Sequence, residues 1–270
     1  MSNLARCRLE SEGKVLQFSV EREREPLILA VETATPLGSV AVARGPVLLA
    51  SRRCAAQGSH SATLLRAVDE ALCEACLKLG DVDLFAAAAG PGSFTGLRIG
   101  LATVKAFAAT LGRACAGVPT LHAVARAAGP SLRTLALVRA GRGEVFGQVL
   151  RVDDAGQVQE LSRAAHLPPA RLMELVGEDR APLVLAGDAA TECAARLGGL
   201  VPGLDITVRG ASTGSGGAEG PNLAAHTAAL ALAQYKAGAA VRPEALQAIY
   251  VRPSDAELKE RWPPSSLSIK

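Results

Sequence analysis

Gly90-Pro91-Gly92-Ser93-Phe94-Thr95-Gly96-Leu97-Arg98-Ile99-Gly100-Leu101-Ala102-Thr103-Val104-Lys105-Ala106-Phe107 decides how the chain of 270 residues is read. An uncharged apolar run over 84–89 precedes it, short enough for a buried strand, and the glycines with Pro91 force a turn. A helix follows. Ser93 or Thr95 can accept from its first free N–H groups, Leu97, Leu101, Val104, Ala108 and Leu111 recur at helical spacing, and Gly112 ends the run. Between Gly96 and Leu111 only Arg98 and Lys105 are charged, on one face, while Ile99, Ala102, Ala106 and Ala109 keep most of the remaining circumference small or apolar. Such a helix is covered on more than one side, within its own domain or by another polypeptide.

A strand, a glycine turn and a helix N-terminus together offer backbone N–H groups to an anion. The spacing fits neither familiar version of that device. Leu97 follows Gly96 where a P-loop needs lysine, and Gly90, Gly92 and Gly96 are one residue out of step with G-x-G-x-x-G. Two readings stand at this point: a phosphate site, or small residues that let the helix sit close to the sheet.

Working outward, residues 27–31, 39–43 and 47–52 read as a meander whose first turn is Glu32-Thr33-Ala34-Thr35-Pro36-Leu37-Gly38. Ser59 or Ser61 caps a helix with Leu64, Val68, Leu72, Ala75 and Leu79 on one stripe, closed by Gly80. After the central helix come a strand at 114–118 and a helix at 120–128. From Leu132 the order repeats loosely, with hairpin strands at 132–139 and 144–152, helices at 169–176, 189–197 and 221–236, and strands at 183–186, 204–209 and 246–251. A glycine-rich loop spans 210–220.

The chain divides into a charged extension at 1–25, an N-terminal lobe at 26–130, a C-terminal lobe at 131–253 and a loose tail at 254–270. The extension carries a strand-like Val15-Leu16-Gln17-Phe18-Ser19-Val20 and is either mobile or docked on the edge of the fold. The fold class is α/β, two ribonuclease H-like lobes facing each other in the actin, sugar kinase and Hsp70 (ASKHA) architecture. The first hairpin turn of that architecture meets phosphate, so Glu32, Thr33 and Thr35 are candidate ligands of a phosphate or a magnesium-bound water. Turn capping by the Glu32 carboxylate is the other reading.

Composition narrows the class further. Hydrophobic residues make up 49% but aromatics only 3%, so the core is built from Ala, Val and Leu. A net charge of +3, with basic residues spread along the chain, does not mark a nucleic-acid binder. The six cysteines, Cys7, Cys54, Cys73, Cys76, Cys115 and Cys193, have no framework spacing, and the chain does not open on an apolar signal segment. A reduced, cytoplasmic protein is expected. Cys73 and Cys76 fall in mid-helix without a second pair, which suits core or interface positions better than metal or redox use. No apolar run approaches the ~20 residues of a bilayer span.

At the level of particular residues the chain resembles a known family. Leu29-Ala30-Val31-Glu32-Thr33-Ala34, His60, the 90–100 block, Gly117-Val118-Pro119-Thr120-Leu121, Gly143-Glu144-Val145-Phe146 and Ile249-Tyr250-Val251-Arg252 resemble, over residues 27–259, the TsaB family, formerly YeaZ. The resemblance implies a non-catalytic dimerisation and activating subunit in the synthesis of threonylcarbamoyladenosine next to the tRNA anticodon. It implies pairing with a TsaD-like catalytic subunit, joined by a TsaE-like ATPase, and contact with tRNA through the complex. ATP and a metal ion then belong to those partners, with none bound by this chain. The helices beginning near Ser61 and Gly96 are expected to pack on their counterparts, which makes Leu65, Leu72, Cys76, Leu97, Arg98, Leu101 and Lys105 interface candidates. The same surface leaves a homodimer of the isolated chain open.

TsaD carries H-x-x-x-H where this chain has Thr120 and Val124, and neither side chain replaces an imidazole ligand. His122 is shifted by two residues onto another side of the helix and reads as structural; His60, His166 and His226 are scattered. The alternative is an independent enzyme, an actin-like ATP-binding phosphotransferase or a glycoprotease-like hydrolase, although G-x-S-x-G and H-E-x-x-H are missing. Arg139, Arg142 and Arg151 are either direct tRNA contacts or ordinary hairpin charges.

Overall fold

A computed structural model of the chain describes residues 24–54, 60–210 and 220–251. Most of the extension, most of the glycine-rich loop and the tail expected from the sequence lie outside those residues, as do the side chains of residues 60–62. Strand β1 (Leu27–Glu32) is buried at every position. Its alternation sends Leu27, Leu29 and Val31 into one apolar cluster with Leu64, Val68, Phe85 and Val104, and Ile28 and Ala30 into another with Val118, Ala228 and Leu232. A strand covered on both faces needs apolar side chains in both directions, hence the unbroken run.

Strands β2 (Ser39–Arg44) and β3 (Val47–Arg53) continue from β1 antiparallel, and β4 (Leu84–Gly90) and β5 (Ala114–Pro119) lie parallel on its other side. The order is β3-β2-β1-β4-β5. In the second sheet, β6 (Ser131–Gly141), β7 (Glu144–Val152) and β8 (Val158–Glu160) form the antiparallel half, with β9 (Ala165–Leu167) also on β7. Strands β10 (Leu183–Ala186) and β11 (Ile206–Arg209) run parallel beyond β6, giving β11-β10-β6-β7-β8. The repeat is therefore one of topology: both sheets place three antiparallel strands on one side and two parallel strands on the other.

Helices α1 (His60–Glu74) and α2 (Phe94–Leu111) cover the outer face of the first sheet; α4 (Met173–Val176) and α5 (Ala190–Leu200) cover that of the second. Helix α1 stops before Gly80 because Cys76 turns left-handed (φ 54°) and Leu77 N–H donates to the Leu72 carbonyl at 2.9 Å, closing the helix and returning Leu77 and Leu79 to the core. Residues 169–176 form a 3₁₀ turn followed by one turn of helix, and 246–251 are not a strand. Ile249 N–H instead donates to the Ala89 carbonyl at 2.7 Å.

The lobe boundaries need correcting. Helix α6 (Leu223–Lys236) packs on the first sheet, through Ala228, Ala231 and Leu232 against Ile28, Ala30 and Leu84, and Val241 bridges to Cys115 of β5. Conversely α3 (Thr120–Ala127) carries Leu121, Val124 and Ala125 into a cluster with Ala136, Val138 and Leu150 of the second sheet. Each half thus sends its last helix onto the other lobe, which sequence order alone does not reveal. Helix α2 also exceeds the sequence expectation: with 18 residues and a mean hydropathy of 1.2 it matches a membrane span in length and composition. It nevertheless lays Leu97, Leu101, Val104 and Ala108 on the sheet.

Ser93 caps α2, its hydroxyl accepting from Gly96 N–H at 3.2 Å, and Gly112 ends it at φ 63°. The glycines of the decisive stretch serve close approach. A Cβ on Gly96 would lie 1.9 Å from the Thr33 carbonyl oxygen, and one on Gly100 2.3 Å from the Thr33 hydroxyl. That hydroxyl donates to the Gly96 carbonyl at 2.7 Å. The backbone of the first hairpin turn thus occupies the space an alanine methyl would need. Gly96→Ala should therefore destabilise the chain by about 2–4 kcal/mol, since backbone and not a flexible side chain must yield. Gly198→Ala, in α5 with open space around it, should be neutral or stabilising by about 0.5–1 kcal/mol. Urea unfolding of both variants checks the contrast.

Candidate functional site

Where the lobes face each other a cleft of about 250 Å³ opens. The first hairpin turn supplies Glu32, Thr35, Pro36 and Leu37; the second lobe supplies Arg139, Gly187 and Asp188; Val124 of α3 and Pro221 and Leu223 at the start of α6 complete the walls. The two exchanged helices thus close the sides of the cavity.

Glu32 ends β1 fully buried. One carboxylate oxygen accepts from Thr35 N–H and the other from the Thr35 hydroxyl, both at 2.7 Å. The carboxylate therefore caps its own turn. Burial pushes the Glu32 carboxyl up to about 7; the Thr35 hydrogen bonds oppose that, and the charge of Asp188 adds to it. Thr33 is buried under α2 and does not reach the cleft, so the three candidates divide: Glu32 and Thr35 line it, Thr33 anchors the turn.

Asp188 stands opposite, just after β10. One of its carboxylate oxygens accepts from Arg139 N–H at 2.9 Å, and the other is buried without a partner among the described residues. Burial raises its pKa, against the opposing Arg139 backbone. The sequence reading missed Asp188. Its signal is nonetheless present, a carboxylate directly after an apolar strand, as in Val31-Glu32. The Arg139 guanidinium turns to Glu192 at 2.9 Å, and its side chain is half exposed.

The cleft is smaller than the ~300–1,000 Å³ of ordinary small-molecule sites, and the carboxyl groups of Glu32 and Asp188 face it. At the start of α2, the other phosphate candidate, the Thr33 carbonyl lies directly against Gly96. Small residues that seat the helix on the turn are thus the reading that the glycine spacing meets.

The two ligand positions behave differently. Thr120 is fully buried with its hydroxyl unpartnered among the described residues, and Val124 packs into the cleft wall beside Gly187. His122 pairs with Glu160 at 3.0 Å, and desolvation lowers its pKa despite that carboxylate. His226 lies 3.4 Å from Arg126, joining α6 to α3, and burial followed by the Arg126 charge lowers it to about 4. Burial lifts Cys54, Cys115 and Cys193 to about 11, far from thiolate chemistry at neutral pH. No cluster of three His, Cys, Asp or Glu suited to a metal occurs among the described residues.

The interface candidates also divide. Leu72, Leu97 and Leu101 are at most 7% exposed in the chain's own core, which corrects their place on a partner surface. Leu65 is 54% exposed, Cys76 and Arg98 are exposed, and Lys105 is half-buried. Exposed Asp69, Cys73, Ala102 and Ala106 join them on the outer side of α1 and α2. Arg98 stacks over Phe94 at 3.9 Å, and Phe94 meets Tyr250 at 5.9 Å. Arg142 sits at the hairpin turn and Arg139 beside it, whereas Arg151 lies roughly 23 Å along the ladder, so the three do not form one basic patch.

Two lobes of one topology, exchanging their last helices around a cleft, define a chain of the actin, sugar kinase and Hsp70 architecture. Comparison with known proteins narrows it. A family model described as TsaD, tRNA N6-adenosine threonylcarbamoyltransferase, matches residues 54–215. The Escherichia coli (strain K12) tRNA threonylcarbamoyladenosine biosynthesis protein TsaB is 33% identical over 159 residues, covering 56% of this chain and 68% of that protein. An uncharacterized protein of Mycobacterium bovis is 35% identical over 122 residues, 44% of this chain and 56% of its own length, so the chain spans little more than half of that relative. YeaZ from Pseudomonas aeruginosa superimposes with a TM-score of 0.69 at 27% identity, over 83% of this chain and 99% of that one. The chain belongs to the TsaB (YeaZ) family.

The Glu32 shift fixes a pH dependence. Its folded pKa of about 7 exceeds the ordinary 4.5, so the folded state holds the proton more tightly. The associated stability is full below pH 4.5 and is lost as pH rises through 7, by about 3 kcal/mol in all. Glu32→Gln keeps both Thr35 contacts, with the amide donating to the hydroxyl, and should remove most of that slope. Urea midpoints from pH 4.5 to 8.5 measure it.

Proposed function

We propose that this chain is the non-catalytic partner subunit of a complex that transfers a threonylcarbamoyl group to the tRNA adenosine next to the anticodon. One observation carries the reading: the positions matching the paired imidazoles of the catalytic relative hold a buried hydroxyl, Thr120, and a cleft-lining isopropyl, Val124. A threonine and a valine cannot anchor a metal there. Family membership and the likeness to the Escherichia coli tRNA threonylcarbamoyladenosine biosynthesis protein TsaB support the same assignment.

In this reading the chain works by docking. Its docking surface is the outer side of α1 and α2, where Leu65, Cys76, Arg98, Ala102 and Ala106 are exposed. Small alanines on α2 allow close helix-to-helix approach, and Leu65 supplies apolar area for a partner to cover. A TsaD-like catalytic subunit is the partner, a TsaE-like ATPase joins the pair, and tRNA is reached through the assembly in the cytoplasm. ATP and the catalytic metal ion are held by those partners.

Mixing the purified chain with its TsaD-like partner should give one co-eluting complex in size-exclusion chromatography. Leu65→Asp and Ala102→Glu should each weaken the complex at least tenfold while leaving circular dichroism unchanged, since both positions are exposed. Leu101→Asp is the contrast: a buried, unpaired charge should unfold the chain. Co-elution unaffected by either surface variant would refute the docking surface.

A further inference from the structure

Strand β3 lies at the edge of the first sheet, and among the described residues nothing pairs with its outer side. That edge is unusually apolar. Val47, Leu48 and Leu49 are 58%, 48% and 37% exposed in succession, where edges are ordinarily guarded by charge or proline. Three consecutive exposed aliphatic residues beside free N–H and C=O groups form a template for another strand.

The path of the chain says which strand. Pro26 accepts from Gly45 N–H at 2.9 Å, and the Glu25 side chain lies over Gly45, held by Lys236 at 2.9 Å. Residue 24 therefore leaves the fold beside the β2–β3 turn, at the end where β3 begins. Upstream lie 23 residues, including Val15-Leu16-Gln17-Phe18-Ser19-Val20. These six alternate, with Leu16, Phe18 and Val20 on one face. A strand entering residue 24 from that side would run antiparallel to β3. From Pro26, in line with β1, the six steps back to Val20 reach about 20 Å, against about 14 Å for the three strand spacings from β1 to a position outside β3.

We propose that residues 15–20 add to the outer edge of β3 as an antiparallel sixth strand of the first sheet, covering Val47, Leu48 and Leu49 with this chain's own N-terminal segment. The charged Glu21-Arg22-Glu23-Arg24 then serves as the polar crossover around the turn.

Hydrogen exchange read by mass spectrometry on the full chain tests this. The outward amides within 47–53 should be protected, and Phe18→Pro, which removes a donor and breaks the strand, should speed their exchange at least tenfold. Gln17→Pro should do the same, with exchange in β1 and β4 unchanged in both as the control for folding. Rapid exchange of those amides in the unaltered chain, or protection indifferent to both prolines, would overturn the proposal. Protection that grows with protein concentration alongside a dimer mass in light scattering would overturn it as well, by assigning the edge to a second copy.

Discussion

The structure depends on a clearance: the N-terminal turn of α2 approaches the first hairpin turn so closely that no side chain fits between them. Gly96 and Gly100 leave that space to the backbone and hydroxyl of Thr33, and the Thr33 hydroxyl closes it with a hydrogen bond to Gly96. An added methyl cannot be accommodated by rotating a side chain, because backbone stands on the far side. The second lobe repeats the device at Gly187, where a Cβ would meet the Leu137 carbonyl oxygen at 1.9 Å. Each sheet thus presses a strand end against a neighbouring backbone and holds the adjoining carboxylate, Glu32 or Asp188, at the cleft.

That arrangement gives the glycine-rich turn before α2 a packing role, seating the helix on the first hairpin turn. The free N–H groups of a helix start attract anions when they are open; here the Ser93 hydroxyl takes the Gly96 N–H, and the Thr33 carbonyl stands against the Cα of Gly96. Across the cleft two carboxyl groups face each other, Glu32 poised near 7 and Asp188 with one oxygen unpartnered among the described residues. On the outside of the two helices Leu65 stands exposed among the charged residues of α1, and Ala102 and Ala106 stand exposed on α2.

The exchange of α3 and α6 gives the two lobes a shared interior. Leu223, at the start of α6, belongs to the second lobe's cluster although the rest of the helix covers the first sheet, and His226 meets Arg126 between the helices. The proposed docking role draws on this construction, since burial of apolar surface across the lobe boundary makes the two sheets one body that presents its outer helices in fixed relation.

The sequence by itself determined the elements of the first lobe, the cap and stop of α2, the α/β class, the ASKHA architecture and the family, because periodicity, glycine caps and contiguous motifs are local properties of the chain. It also contained the self-capping of Glu32 as one of two readings, since a strand-end carboxylate and a threonine three residues on are neighbours in sequence. Tertiary structure alone decided which side of α2 faces inward, burying Leu97 and Leu101 while exposing Ala102 and Ala106, because a helix apolar on several sides does not state which side the sheet takes. It alone brought Asp188 opposite Glu32 and swapped the two final helices between lobes. The Glu32–Asp188 pairing and the seating of α6 join residues more than a hundred positions apart, and nothing in a local pattern encodes the pairing of surfaces that only the folded chain brings together.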